Sequence, residues 1–176
     1  MNIFDTLEEI SAKDGLAYLV IGGHAVSAHG YARVTGDLDI LVARNDRDKW
    51  LASLEKCGFK LLHDGGIFLQ TTPPEGLRWP LDLMLVNERS FSEFLAASRV
   101  VEQGGNRLKV PSLNHLIALK LHALKQGLQH RGFKDFMDVL SLAQANALDV
   151  HSDNFRTLCE KYGSKEIYER LVAFKF

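Results

Sequence analysis

The sequence predicts an α+β fold: a small mixed β-sheet flanked by helices, then a C-terminal helical subdomain packed on that core. Three observations carry the prediction. Short apolar runs of strand length alternate with helix-like segments as far as Val110. Glycine and proline clusters punctuate them, at Gly22-Gly23, Asp64-Gly65-Gly66 and Pro73-Pro74-Glu75-Gly76. Beyond Pro111 the pattern is helical, with no flexible spacer at the join. The predicted division is therefore a core over residues 1–110 and a helical subdomain over residues 111–176.

Taken in order, Asp5 to Lys13 reads as an amphipathic helix with Phe4, Leu7, Ile10 and Ser11 on one side. Leu16 to Ile21 is a short apolar strand, ended by Gly22-Gly23, and His24 to His29 is a short helix stopped by Gly30. Asp37 to Ala43 is a second strand. Asn45 is placed to cap a helix that runs to Cys57 and ends at Gly58. Phe59 to His63 and Ile67 to Thr71 form a hairpin, and Leu81 to Val86 a further strand. A helix from Glu88 to Ala97 precedes two short strands around Gly104-Gly105-Asn106. Pro111-Ser112 opens a helix to Gln126, and the remainder is helical with breaks near Gly132, Leu148 to Ser152 and Gly163-Ser164.

Composition narrows the function classes. A chain of 176 residues can bury a core without disulfide staples. Cys57 and Cys159 are far apart and form no C-x-x-C pair, which argues against a zinc cluster and fits a reducing, cytoplasmic setting. The acidic, amphipathic N-terminus does not read as a signal peptide, and no apolar run is long enough for a membrane span. Net charge is −1, but Arg99 to Lys134 holds seven Lys and Arg against one acid, Glu102. Such a segment either faces phosphates or is a solvated surface.

The informative stretch is GGHAVSAHGYARVTGDLDILV, from Gly22 to Val42. In a strand, Leu38, Ile40 and Val42 share one face and Asp37 and Asp39 the other, with i and i+2 side chains roughly 6.5–7 Å apart. Burying two unpaired carboxylates is costly, and their repulsion disfavours double ionisation. A divalent cation removes both difficulties. In WPLDLMLV, Asp82 likewise opposes Leu81, Leu83 and Leu85. If the two strands are neighbours, three acids meet, as a two-metal phosphoryl-transfer site requires. An exposed turn and sheet edge is the plainer alternative for Asp-x-Asp alone. Gly22 and Gly23, delivered by a strand into a helix, would let backbone N–H groups approach a phosphate. Arg33 and Thr35 lie in the loop ahead of Asp37, where Arg33 contacts phosphates or pairs with an acid.

In the second half, Leu113, Leu116, Ile117, Leu121 and Leu124 form an apolar stripe with Lys120 in its middle. Lys120 either snorkels outward or meets an anionic partner. His122 falls on the opposite, solvated side. In the next helix Phe133, Phe136, Met137 and Leu140 are expected to face the core, with Lys134, Asp135 and Asp138 away from it. Lys134 and Asp138 are spaced for an i, i+4 surface pair. His24 and His29 have no acidic or cysteine neighbour that would suggest zinc, and Ser27 and Cys57 lack the context of a covalent nucleophile.

Gly22-Gly23, then Asp37-Leu38-Asp39, then Asp82 on a later strand resembles the nucleotidyltransferase superfamily that includes DNA polymerase beta. The segment from Gly22 to Ile40, with Lys120-Leu121-His122-Ala123 and Lys134-Asp135-Phe136-Met137-Asp138, is most similar to the AbiEii-type branch, which includes toxins of toxin–antitoxin pairs. Toxin relatives often carry Ser after the first glycine, where this chain has Gly23. The resemblance implies metal-dependent transfer of a nucleoside monophosphate from an NTP to an acceptor hydroxyl, with release of pyrophosphate. It implies two Mg²⁺ ions, with Mn²⁺ as an alternative, on Asp37, Asp39 and Asp82, the last also taking the acceptor's proton. Gly22, Gly23, Arg33, Thr35, Lys120, Lys134, Asp135 and Asp138 would face the nucleotide. The implied acceptor is a tRNA 3′ end first, with a small hydroxylated molecule such as an antibiotic as the main alternative and a protein hydroxyl as the third, and the implied protein partner is an antitoxin. A non-catalytic nucleotide- or partner-binding member is the alternative of another class.

Overall fold

The computed structural model describes residues 2–127 and 132–174. Two compact units emerge, one of Met1–Ala25 with Arg33–Pro111, the other of Val26–Ala32 with Ser112–Phe176.

The first unit is built on a mixed sheet. Its strands are β1 (Leu19–Val20), β2 (Leu38–Ala43), β3 (Lys60–Asp64), β4 (Phe68–Thr72) and β5 (Leu81–Val86), in the spatial order β1-β2-β5-β4-β3. Only the β2–β5 pair is parallel; the other pairs in this sheet are antiparallel. The parallel pair is central and buried, as an almost continuous apolar run demands. Leu38, Ile40, Val42, Leu81 and Leu83 are all fully buried. Full burial of such a side chain is worth about 1.5–3 kcal/mol, which makes a one-residue slip of register expensive.

Helices and a second hairpin complete this unit. Helix α1 (Ile3–Asp14) starts with a capping box, Asn2 Oδ1 accepting from Asp5 N–H and the Asp5 carboxylate accepting from Asn2 N–H. Helix α3 (Arg47–Lys56) buries Trp50 and Leu54, and α4 (Glu88–Ala96) buries Phe91. The hairpin β6 (Arg99–Gln103) and β7 (Asn106–Val110) forms a separate two-stranded sheet.

The second unit holds α5 (Leu113–Lys125), α6 (Gly132–Ala145), α7 (Asp153–Tyr162) and α8 (Lys165–Ala173). Ser112, Ser152 and Ser164 cap α5, α7 and α8 through their hydroxyl oxygens. The core includes Leu116, Ile117, Leu121, Val139, Leu142, Phe155, Cys159 and Leu171. Asn146, just past α6, donates to the His29 carbonyl at 2.8 Å, which ties the Val26–Ala32 segment into this unit. Burial pushes the Cys159 thiol up to about 12, with Glu160 adding to the effect. Cys159 is accordingly expected to resist a thiol reagent at pH ~8 in the folded protein while the half-buried Cys57 reacts. Mass mapping of the labelled cysteines checks this; equal labelling of both would contradict it.

Several expected boundaries shift, each for a local reason. β1 pairs through two residues only, Leu19 with Leu41 and Val20 with Ile40, not over the whole of Leu16 to Ile21. Helix α2 (Gly22–Ala28) starts at the glycines and not after them. Asn45 is not a cap; it sits in a 3-10 turn, Arg44–Asp46, and its N–H donates to Glu88 Oε1 at 3.0 Å. The first hairpin is displaced by one residue at all four of its strand ends, and Leu62 is bulged out between the pairs Leu61–Thr71 and His63–Gln70. No helix among the described residues is long and apolar enough to cross a membrane.

Candidate active site

The parallel pairing of β2 with β5 sets Asp39 directly opposite Asp82. Because the register is exact, the alternation that buries Leu38, Ile40, Leu81 and Leu83 turns both carboxylates to the other face. Asp37, one residue ahead of β2, joins them. One carboxylate oxygen from each of Asp37, Asp39 and Asp82 lies within 4.8 Å of the others. Asp82 is 3 % exposed, while Asp37 and Asp39 are half-buried.

Like charges this close repel by about 4 kcal/mol per pair at 4 Å in a protein-like dielectric of about 20. The donor set is three hard oxygens, which suits Mg²⁺ or Mn²⁺ and not a thiol-seeking metal. The arrangement can hold a metal ion.

Gly22 makes room for the Asp39 carboxylate. Its φ is +59°, and a Cβ there would stand 1.8 Å from Asp39 Oδ2. Any side chain would push the carboxylate out of place and strain the backbone. Gly22→Ala is expected to weaken Mn²⁺ binding at least about tenfold, since metal sites tolerate little ligand displacement. Titration followed by the electron paramagnetic resonance of free Mn²⁺ reads the effect, and unchanged affinity would contradict it.

Gly23 is equally confined: a Cβ would lie 2.7 Å from Thr35 Cβ and 3.0 Å from Arg33 Nη2. The Thr35 hydroxyl donates to Asp37 Oδ1 at 2.6 Å, orienting that carboxylate. His24 packs against Trp79 with the rings tilted and meets Phe4 edge-on, at ring separations of 4.9 and 5.6 Å. Burial lowers the His24 pKa, opposed by the nearby Asp37 charge and reinforced by Arg33. The first unit thus brings together Gly22, Gly23, Arg33, Thr35, Asp37, Asp39 and Asp82. A cavity of about 420 Å³ lined by Leu51, Leu54, Phe59, Leu61 and Thr71 includes none of them.

Lys120, Asp135 and Asp138 form a second group, within the helical unit. The Lys120 ammonium lies 2.8 Å from Asp135 Oδ1 and 2.8 Å from Asp138 Oδ2. All three residues are buried. This corrects the face expected for α6. Asp135 and Asp138 point inward, whereas Phe133 is 74 % exposed and Lys134 is at the surface. Asp138 therefore pairs with Lys120, not with Lys134 on its own helix. Of the two outcomes open to Lys120, the anionic partner is realised, and both partners are supplied by the chain itself.

One residue escaped the sequence. Gln70, on β4, lies opposite Asp82 in register and donates from Nε2 to Asp82 Oδ2 at 3.3 Å. Its position between Leu69 and Thr71, both buried, placed it on the carboxylate face, but the pairing register carries the meaning and is not readable locally.

A family model described as an uncharacterised nucleotidyltransferase matches residues 2–174. The chain belongs to this family. The fold of this nucleotidyltransferase is shared with solved structures of low sequence identity. The solution structure of the antibiotic-resistance factor ANT(2'')-Ia superposes with a TM-score of 0.66 at 14% identity, over 97% of this chain and 95% of the other. An antigenic nucleotidyltransferase-like protein from Paracoccidioides brasiliensis gives 0.53 at 17% identity, over 93% and 92% of the two chains. The lincosamide antibiotic adenylyltransferase LnuA, with lincomycin bound, gives 0.53 at 16% identity, over 81% and 94%. No curated protein matches the sequence.

Proposed function

We propose that this chain transfers a nucleoside monophosphate from an NTP to a hydroxyl of an acceptor, releasing pyrophosphate, at a two-metal site on Asp37, Asp39 and Asp82. The observation that carries it is the convergence of three carboxylate oxygens within 4.8 Å, beside a glycine that leaves no room for a side chain. Bound divalent ions would neutralise the transferring phosphate and stabilise the leaving pyrophosphate. The protein's part is positioning. Thr35 orients Asp37, the backbone N–H groups of Gly22 and Gly23 and the Arg33 guanidinium receive phosphate oxygens, and Asp82 takes the acceptor's proton. For the helical unit, the motif resemblance assigns nucleotide contact to Lys120, Lys134, Asp135 and Asp138. Within the chain itself, Lys120 is paired with Asp135 and Asp138.

For the acceptor we favour a small hydroxylated molecule. Support comes from the fold shared with two antibiotic-related proteins, one of them solved with adenylyl-2''-tobramycin and the other with lincomycin. A tRNA acceptor is the second reading, favoured by the exposed Arg99, Arg107 and Lys109 of the β6–β7 hairpin. Of the seven basic residues from Arg99 to Lys134, however, Lys120 is buried in ion pairs, and Arg131 lies outside the described residues. The AbiEii-type placement, and with it an antitoxin partner, is supported by the sequence motifs alone. The test is pyrophosphate release from labelled NTPs with Mg²⁺, offered aminoglycosides, lincosamides or total tRNA. Release that needs both an acceptor and the metal is expected. NTP binding without turnover on any acceptor would instead favour a binding module.

A further inference from the structure

We propose that Gln70 is a positioning residue that holds the Asp82 carboxylate in the orientation needed to bind metal; this deepens the metal-site reading above and rests on it. Asp82 lies between two in-register neighbours, Asp39 on β2 and Gln70 on β4. One neighbour repels it and the other donates to it. The terminal torsion of an aspartate is a broad, nearly two-fold rotor, so repulsion from Asp39 and Asp37 would turn an untethered carboxylate away from them. The Gln70 Nε2–H engages Oδ2 and restrains rotation of the group, leaving the carboxylate lone pairs outside that bond for a cation.

The residue type suits this task and few others would. A lysine at position 70 would bring a positive charge that competes with the cation, and a glutamate would add a fourth negative charge to the three already present. An apolar side chain would leave Asp82, 3 % exposed, without this donor. The neighbouring polar side chain Thr71 cannot substitute, because it faces away and donates to the Leu81 carbonyl at 2.7 Å. Glutamine supplies a donor with no charge, as outer partners of metal ligands commonly do.

The experiment is a Mn²⁺ titration of the full chain, read by electron paramagnetic resonance, for the wild type, Asp82→Asn, Gln70→Met and Gln70→Asn. Gln70→Met keeps the length without the donor; Gln70→Asn keeps the amide but shortens its reach by one methylene. Both are expected to weaken Mn²⁺ binding about tenfold, the scale of outer-partner effects, while their melting curves still show a cooperatively folded chain. Gln70→Leu replaces either variant that does not fold. Wild-type affinity in the Gln70 variants, with binding lost in Asp82→Asn, would overturn this inference and leave the metal site standing. Absence of Mn²⁺ binding in the wild type would overturn both.

Discussion

Asp82→Asn is expected to abolish turnover and, in the same protein without metal, to raise the melting temperature. The two effects have one cause. Asp82 is buried against two other carboxylates, and in the absence of a cation its charge costs stability. An asparagine keeps the shape and removes the charge. Relief of even ~1 kcal/mol of repulsion raises Tm by about 2–4 °C for a chain of this size. With metal present the sign reverses, because the variant lacks a ligand and loses the stabilisation that binding confers on the wild type. A loss of about 4 kcal/mol of transition-state stabilisation corresponds to roughly a thousandfold in rate. Thermal melts with EDTA and with Mn²⁺, beside a pyrophosphate assay, check all three. A variant less stable than wild type in EDTA would show that Asp82 serves the fold and not a cation.

Lys120→Met is expected to be the most destabilising single change in the helical unit. Lys120 is the shared partner of two buried carboxylates, Asp135 and Asp138. Removing one member of a buried ion cluster leaves uncompensated charge and costs about 3–5 kcal/mol. At about 2–4 °C per kcal/mol that lowers Tm by roughly 6–20 °C. The triple variant Lys120→Met, Asp135→Asn, Asp138→Asn leaves no net charge inside and should recover most of the loss. Differential scanning calorimetry separates the two. If the single variant melts within about 2 °C of wild type, the cluster does not hold the unit together.

The same residues show what a sequence can reveal and why some of it stays hidden. Asp39 and Asp82 were legible because a strand has a strict period of two, and an acid inside an apolar alternation marks the opposite face at once. Their convergence needed the parallel register of β2 on β5, which no local pattern encodes. Gln70 was missed for that reason: a glutamine on a half-buried strand acquires meaning only from what lies across from it. In α6 the helical pattern misled, because it sorts residues by polarity, and Asp135 and Asp138 are polar yet buried once Lys120 meets them. Gly22 was singled out in the sequence for an expected approach to phosphate, whereas the constraint the structure shows is its closeness to Asp39 Oδ2, which depends on the sheet being assembled. Asn45 lost the capping role to a 3-10 turn held by Glu88, a residue 43 positions away.

The most direct measurement is anomalous diffraction from a crystal soaked with Mn²⁺ and a non-hydrolysable NTP. Two manganese peaks in contact with Asp37 and Asp39, one of them also touching Asp82, with the triphosphate beside Gly22 and Gly23, are expected. Nucleotide bound with no manganese at these carboxylates would contradict a two-metal transferase site.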